Sequence, residues 1–201
     1  MNDQPKPVSA WNIANAITVA RILLVPVFAV LVVQSGMVDS GLRVAACAVF
    51  LIASLTDFLD GWLARSRGLV TSFGKLADPI ADKALIGTAL VLFSLDGVLP
   101  WWVTAVILVR ELGITALRMA VLRHAVIPAG RGGKAKTVFQ ITAVAWYLWP
   151  WPEWHLGTWE IPFVPFGHVL MGAAVVLTVA TGIDYLWKAW KVTGRGVGKT
   201  G

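Results

Sequence analysis

Six long apolar stretches, separated by short polar breaks, dominate the pattern of this 201-residue chain. Each stretch is near the roughly 20 apolar residues that a helix needs to cross a bilayer, except that the fifth is short. The breaks contain turn-forming residues such as Ser35-Gly36, Asp96-Gly97 and Pro162. We therefore predict an all-α, polytopic membrane protein with six transmembrane helices, forming a single domain over residues 1–201. The predicted bounds of the helices are 13–34, 42–65, 76–96, 100–122, 137–152 and 163–187.

The composition agrees with a lipid environment. Hydrophobic residues make up 57% of the chain and charged residues only 14%, whereas soluble domains carry about 25% charged residues. The net charge of +6 comes with no basic stripe apart from the apolar segments, so we expect no nucleic-acid partner. The single cysteine, Cys47, lies in an apolar run and cannot form a disulfide within one chain. No small-residue cleavage site follows the first segment, so we interpret that segment as a retained helix.

Lysine and arginine are concentrated in alternate connections between the predicted helices. They occupy the connections near 65–75 and 123–136 and the tail near 188–199, whereas the opposite connections hold acidic residues and only Arg43. The positive-inside rule then predicts that both termini and the basic connections are cytoplasmic, in a bacterial-type inner membrane. Tryptophans cluster at the two expected membrane borders, where their amphipathic rings are favoured. They are Trp101, Trp102, Trp146, Trp149, Trp151, Trp154 and Trp159 on the outer side and Trp11, Trp187 and Trp190 on the inner side.

Four aspartates, Asp57, Asp60, Asp78 and Asp82, stand inside sequence that is otherwise apolar. One charge at membrane depth costs roughly 2.5–3.5 kcal/mol on insertion scales, so four charges need a reason. The first pair is spaced i, i+3 and the second i, i+4, so each pair shares one face of a helix. Carboxylates this close stay ionised together only beside cations. Oxygen ligands without histidine or cysteine select Mg²⁺ or Mn²⁺, and four carboxylates suit two ions, an arrangement used for displacement at phosphorus.

Small and basic residues accompany the aspartates. Gly61, Ala64 and Gly74 remove side-chain bulk where a nucleotide diphosphate would approach the backbone, and Arg65 offers a planar fork to a phosphate. Singly, these features have ordinary explanations, since a lone aspartate often caps a helix and a lone glycine often marks a packing contact. Together, at fixed spacing, they favour a catalytic metal site.

The string D-x₂-D-G-x₂-A-R-x₈-G-x₃-D-x₃-D, complete from Asp57 to Asp82, resembles the signature of the CDP-alcohol phosphatidyltransferases. The resemblance implies a six-helix membrane enzyme, usually a homodimer, with two divalent cations, Mg²⁺ or Mn²⁺. In that family Asp57 and Asp78 would bridge both ions, and Asp60 would bind one. Asp82 would bind the other and accept the proton of the acceptor hydroxyl. The residues expected to hold the CDP-linked donor are Gly61, Arg65 and Thr71, beside Ala64 and Gly74.

A polar stripe on the first predicted helix gives further candidate contacts. Asn15, Thr18 and Arg21 are three residues apart, so they line one side of an otherwise apolar rod. We assign this stripe to CDP-diacylglycerol binding. The spacing leaves open whether Arg21 meets the donor or the acceptor.

The acceptor site is predicted from charges in the fourth and fifth segments. Together with the stripe, the runs from Arg110 to Arg118 and from Gly132 to Thr137 resemble the family members whose acceptor is glycerol 3-phosphate. That acceptor is a dianion and needs cations. Each group of charges also has a structural explanation. For the charges of the fourth segment it is an ion pair in which Glu111 orients an arginine, and for the lysines it is ordinary positive-inside bias. The predicted acceptor-phosphate ligands are Arg110, Arg118, Lys134 and Lys136.

The predicted reaction transfers a phosphatidyl group from CDP-diacylglycerol to glycerol 3-phosphate and releases CMP. A related enzyme that uses inositol phosphate is the nearest alternative, because a phosphorylated acceptor also fits a basic pocket. A divalent-cation transporter is an alternative from another class. It predicts acidic residues that continue across the bilayer, whereas the outer halves of the six segments are apolar.

Overall fold

The computed structural model describes residues 13–66, 71–121, 131–151, 155–156, 159–160 and 163–196. Within these ranges the architecture is helical, as predicted, with six helices and one short β-hairpin. The strands β1 (His155–Leu156) and β2 (Trp159–Glu160) pair antiparallel, with His155 opposite Glu160. The helices are α1 (Ile13–Ser35), α2 (Ser40–Ser66), α3 (Ser72–Leu95), α4 (Trp101–Val121), α5 (Arg131–Leu148) and α6 (Phe163–Gly196).

The chain divides into two compact units between Leu92 and Phe93, close to the end of α3. The first unit is built on a hairpin of α1 and α2. Phe28 and Phe50 meet in this hairpin with ring centres 5.7 Å apart, and Ala53 is fully buried. Small side chains of this kind let membrane helices approach closely. Because the helices are antiparallel, the start of α1 lies beside the end of α2.

The turn between α1 and α2 is closed by local hydrogen bonds. Gly36 follows α1 with a φ of 50°, a left-handed conformation that glycine adopts without strain. Asp39 caps α2, because its Oδ1 accepts a hydrogen bond of 2.8 Å from the backbone N–H of Leu42. These contacts hold the hairpin at the end opposite to the predicted metal site.

Helix α3 ends where the sequence predicted and begins earlier. Gly97 has a φ of 72°, and the N–H groups of Gly97 and Val98 donate to the carbonyls of Ser94 and Phe93, which is a Schellman C-cap. The predicted start was residue 76, whereas the helix begins at Ser72. Pro79 therefore lies in the second turn of the helix. Since proline has no N–H, the helical hydrogen bond to the carbonyl of residue 75 is missing there.

The second unit packs α6 against both α4 and α5. Tyr147, near the end of α5, lies 5.6 Å from the Phe93 ring centre and shares a hydrogen bond of 2.8 Å with His168 Nδ1 on α6. Gly167 on α6 faces the Tyr147 ring, since a Cβ atom at position 167 would lie 2.9 Å from Tyr147 Cε1. The end of α5 and the start of α6 are therefore in close contact.

Three helices are long and apolar enough to cross a membrane, counting only the described residues. The apolar lengths are Asn15–Ser35 in α1, Ser40–Asp57 in α2 and Pro165–Lys191 in α6. Each of α3, α4 and α5 carries three or more charged residues, which lowers its hydropathy. Most of those charges are predicted site residues, and six membrane spans remain a prediction.

Exposed tryptophans lie at both ends of the second unit. Trp101 and Trp102 at the start of α4 and Trp149 just after α5 are exposed, as are Trp187 and Trp190 near the end of α6. Lys191 Nζ lies 3.4 Å from the centre of the Trp187 ring. Tryptophan with neighbouring lysine is typical of a membrane border. Trp11 and Trp154 lie outside the described residues.

Two helix bounds differ from the predictions by more than four residues. Helix α5 begins at Arg131 and not at 137, and α6 continues to Gly196, beyond the predicted 187. The prediction followed hydropathy, which falls at Lys134 and Lys136, whereas lysine is a good helix former and lets the helix continue. The β-hairpin was not predicted, because two-residue strands are too short to show an alternating pattern.

Candidate active site

Asp57, the first aspartate of the motif, lies where the apolar length of α2 ends. Its Oδ1 accepts a hydrogen bond of 2.5 Å from Arg21 Nη1 on α1. The Arg21 side chain is 0% exposed, whereas that of Asp57 is 41% exposed. A buried guanidinium thus contacts a carboxylate that remains accessible, so Asp57 is fixed in position and can still receive a ligand.

The other residues of the α1 stripe are also buried. Asn15 and Thr18 are 5% and 2% exposed. Asn15 Oδ1 accepts a hydrogen bond of 2.9 Å from Thr71 Oγ1. Thr71 immediately precedes α3, so this bond ties the start of α3 to α1. The stripe thereby contacts two residues, Asp57 and Thr71, that the sequence analysis assigned to the site.

Asp82, the predicted general base, lies within α3. Its side chain is 42% exposed, and its Oδ2 is 3.9 Å from Lys83 Nζ. This distance is at the outer limit of an ion pair, and contacts of partly exposed groups at this range are weak. The Asp82 carboxylate is therefore accessible to a ligand in the first unit.

The remaining motif residues are placed by backbone only. Helix α2 contains Asp60, Gly61, Ala64 and Arg65, and α3 contains Gly74 and Asp78. Their side chains lie outside the part that the structure describes. Among the side chains it does describe, no group of three or more histidine, cysteine or acidic residues lies together.

A charged cluster in the second unit joins α4 to α5. The Glu111 carboxylate accepts a hydrogen bond of 2.9 Å from Arg110 Nη1 and another from Lys136 Nζ. The three side chains are 12%, 17% and 6% exposed, respectively. The structure thus brings together Arg110 and Lys136, two of the four predicted acceptor ligands. Lys134 is exposed, and the side chain of Arg118 lies outside the described part of the chain.

Helix α6 contributes contacts to this cluster that the sequence analysis missed. Arg110 Nη2 donates a hydrogen bond of 2.8 Å to Thr181 Oγ1. The next residue, Gly182, lies against the arginine stem, since a Cβ there would be 3.2 Å from Arg110 Cγ. One turn earlier, Thr178 accepts a hydrogen bond from Gln140 of α5. Thr178 and Thr181 are polar residues inside an apolar stretch of α6, and this is the sequence signal that could have identified the α6 face that contacts the cluster.

The fold defines a helical membrane protein whose first unit has a polar site at the end of an apolar helix hairpin, and whose second unit has a buried charged cluster of its own. The chain belongs to the CDP-alcohol phosphatidyltransferase family, whose model matches residues 11–180. The predicted family is therefore confirmed, and the match runs through both compact units. Enzymes of this family generally use divalent metal ions.

Curated relatives cover most of the chain. One from Mycobacterium tuberculosis, named "Probable phosphatidylglycerophosphate synthase", is 47% identical over 91% of this chain and 84% of its own length. Relatives from Bacillus subtilis and Escherichia coli are named "CDP-diacylglycerol--glycerol-3-phosphate 3-phosphatidyltransferase". They are 36% and 37% identical, over 90% and 88% of this chain and 96% and 93% of their own lengths.

Proposed function

We propose that this protein transfers the phosphatidyl group of CDP-diacylglycerol to glycerol 3-phosphate, giving phosphatidylglycerophosphate and CMP for phospholipid biosynthesis. The observation that carries the proposal is the complete motif from Asp57 to Asp82, in a chain whose similar relatives are named for this reaction. The names of these relatives specify glycerol 3-phosphate, which favours this acceptor over inositol phosphate.

The metal site is assigned to Asp57, Asp60, Asp78 and Asp82, which would hold two Mg²⁺ or Mn²⁺ ions. Two observations support the fit: the described carboxylates, Asp57 and Asp82, are each about two-fifths exposed, and the donor set is all oxygen. Bound divalent ions would stabilise the negative charge that develops on the diphosphate.

The donor site is assigned to the motif residues together with the α1 stripe. Gly61, Ala64, Arg65, Thr71 and Gly74 would bind the CDP moiety. Because Arg21 binds Asp57 and Asn15 binds Thr71, we infer that the stripe acts on CDP-diacylglycerol through these two residues.

The acceptor is bound by cations of the second unit. Arg110, Arg118, Lys134 and Lys136 would bind the phosphate of glycerol 3-phosphate. Two of them, Arg110 and Lys136, are held together by Glu111, and an arginine presents its donors in a fixed planar fork that suits phosphate oxygens.

The chemical step is a displacement at phosphorus. The sn-1 hydroxyl oxygen of glycerol 3-phosphate attacks the phosphorus that carries diacylglycerol, and its proton passes to the Asp82 carboxylate. The bond from that phosphorus to the oxygen of CMP breaks, and CMP leaves with the bonding electrons. Glycerol 3-phosphate loses one proton and gains one phosphatidyl group, so the atoms balance.

We further propose that the chain is one catalytic domain with six membrane spans in a bacterial-type inner membrane. Both termini and the active site would face the cytoplasm, and the enzyme would act as a homodimer among membrane lipids. The basic connections and the exposed tryptophans at both ends of the second unit support this topology. The charges in α3, α4 and α5 are compatible with spans that face a polar site and not lipid.

Asp82→Asn in the purified protein tests the assigned reaction. With CDP-diacylglycerol and glycerol 3-phosphate, wild type should release CMP, and the variant should be slower by about 10²–10⁴-fold because it cannot accept the proton. Asp184→Asn is the matched control, because Asp184 lies on α6 and pairs only with the exposed Lys188 among the contacts identified for it. It should keep the wild-type rate.

Two results would count against the proposal. A wild-type rate in Asp82→Asn would remove Asp82 as the base. Failure of the wild-type protein to release CMP with glycerol 3-phosphate would overturn the function itself.

A further inference from the structure

Glu111 is a buried acid with no part in the reaction as assigned above. Its carboxylate binds one cation on its own helix, Arg110, and one on the neighbouring helix, Lys136. All three side chains are at least four-fifths buried. One buried carboxylate shared by two cations offsets part of their desolvation and fixes their separation.

Arg110 is also held by α6. The Thr181 hydroxyl donates to the backbone carbonyl of Leu177 at 2.6 Å, which directs its proton along the helix and leaves its oxygen to accept from Arg110 Nη2. The hydroxyl orientation is therefore set by α6 itself. Thr181 acts as a fixed acceptor for the guanidinium.

Gly182 gives Arg110 room to reach that acceptor. A Cβ at this position would lie 3.2 Å from Arg110 Cγ, 3.5 Å from Nε and 3.9 Å from Cδ. A glycine in a membrane helix commonly lets two helix backbones approach. Here the atoms beside it belong to the arginine side chain, so a methyl group would displace Arg110 itself.

We propose that Glu111, Thr181 and Gly182 are positioning residues for acceptor recognition. They hold Arg110 and Lys136 in the arrangement that binds the phosphate monoester of the acceptor. This inference rests on the proposed function and adds α6 to the determinants of acceptor affinity. A cation that is already fixed loses less side-chain entropy when the phosphate binds, and this is how positioning lowers KM.

Gly182→Ala, compared with Gly172→Ala, is the first test. Both glycines lie on α6, but a Cβ at Gly172 would meet nothing within 4 Å. Gly182→Ala should raise KM for glycerol 3-phosphate by about tenfold, the equivalent of one charge-assisted hydrogen bond. KM for CDP-diacylglycerol should change by less than about twofold, because the donor site is not touched. Gly172→Ala should leave both KM values unchanged.

Thr181→Val and Thr181→Ser provide a second comparison that does not depend on how the Gly182 variant folds. Valine has the shape of threonine without the acceptor oxygen, so KM for glycerol 3-phosphate should rise as in Gly182→Ala. Serine keeps the hydroxyl and should restore the wild-type KM.

Glu111→Gln separates positioning from simple charge. If Glu111 only weakens the positive field, its neutralisation should lower KM for the dianionic acceptor. If it positions Arg110 and Lys136, KM should rise, because the shared anchor is lost.

The outcomes that overturn the inference are specific. An unchanged KM for glycerol 3-phosphate in Gly182→Ala and Thr181→Val, with normal wild-type turnover, overturns the inference alone. A lower KM for glycerol 3-phosphate in Glu111→Gln overturns the positioning role of Glu111. No turnover of glycerol 3-phosphate by wild type removes the proposed function and the inference together.

Discussion

Arg21 is a charged residue whose side chain is wholly buried between two apolar helices. A buried charge without a partner is strongly unfavourable, whereas one that is hydrogen-bonded to an opposite charge is tolerated. Asp57 supplies that charge, and because it remains partly exposed it can also serve as a metal ligand. The same contact therefore explains why an arginine is stable in α1 and how Asp57 is oriented.

A double-mutant cycle between Arg21 and Asp57 tests this coupling. We expect Arg21→Gln and Asp57→Asn to be non-additive in the free energy of unfolding by about 1–3 kcal/mol, as for residues in direct contact. The measurement is unfolding in detergent micelles with a chelator present, so that bound metal does not contribute.

Lys188 and Asp184 provide the control cycle. They form an exposed pair on α6 at 2.6 Å, and exposed pairs one helical turn apart contribute below about 0.5 kcal/mol. If the changes in unfolding free energy at Arg21 and Asp57 are as additive as those of the control pair, the coupling is refuted.

Candidate site residues can be proposed from the sequence when they belong to a motif with fixed spacing. The positions of Asp57 and Asp82 follow from the motif, and the polar stripe of α1 follows from its three-residue period. The residues that these side chains contact could not be predicted from the sequence. Arg21 and Asp57 are 36 residues apart, and Arg110 and Thr181 are 71 apart. Helical periodicity gives the face on which a residue lies, but not which face of another helix it meets.

At the scale of elements, α6 joins the two ends of the second unit. Near its start it contacts α5 through Gly167 and Tyr147, and further along it holds Arg110 through Thr181 and Gly182. Two of its glycines therefore have different roles: Gly167 permits helix packing, and Gly182 makes room for a charged side chain.

Gly167→Ala should destabilise the pairing of α5 and α6. The added methyl would lie 2.9 Å from Tyr147 Cε1 and 3.0 Å from Trp146 Cδ1. Forcing extra volume into a packed site lowers the free energy of unfolding by about 1–3 kcal/mol. Gly172→Ala, where the space is open, should change it by less than about 0.5 kcal/mol. Equal unfolding midpoints for the two variants in detergent would contradict this account of the helix pair.

The helices themselves were largely predictable, since long apolar stretches leave few alternatives. The end of α3 was predicted from Asp96-Gly97 and is a glycine C-cap. The start of α5 was not, because its first turns carry Lys134 and Lys136. Hydropathy treats these residues as the end of a membrane segment, although the helix continues through them.

At the scale of the whole molecule, we assign two tasks to two parts of the chain. The first unit contains the acidic motif and the buried stripe that orients it, and the second contains the cations assigned to the acceptor phosphate. The family match from residue 11 to residue 180 includes both parts. The reaction class was predictable from the motif alone, whereas the choice of acceptor depended on scattered charges and was strengthened by the names of the relatives.

We propose glycerol 3-phosphate as the acceptor, and this assignment can be tested directly. The most direct measurement supplies purified wild-type protein with labelled CDP-diacylglycerol and equal concentrations of glycerol 3-phosphate and inositol phosphate, and then separates the lipid products. We expect phosphatidylglycerophosphate as the labelled product, with an equal amount of CMP. Labelled phosphatidylinositol phosphate as the main product, or label that stays in CDP-diacylglycerol, would contradict it.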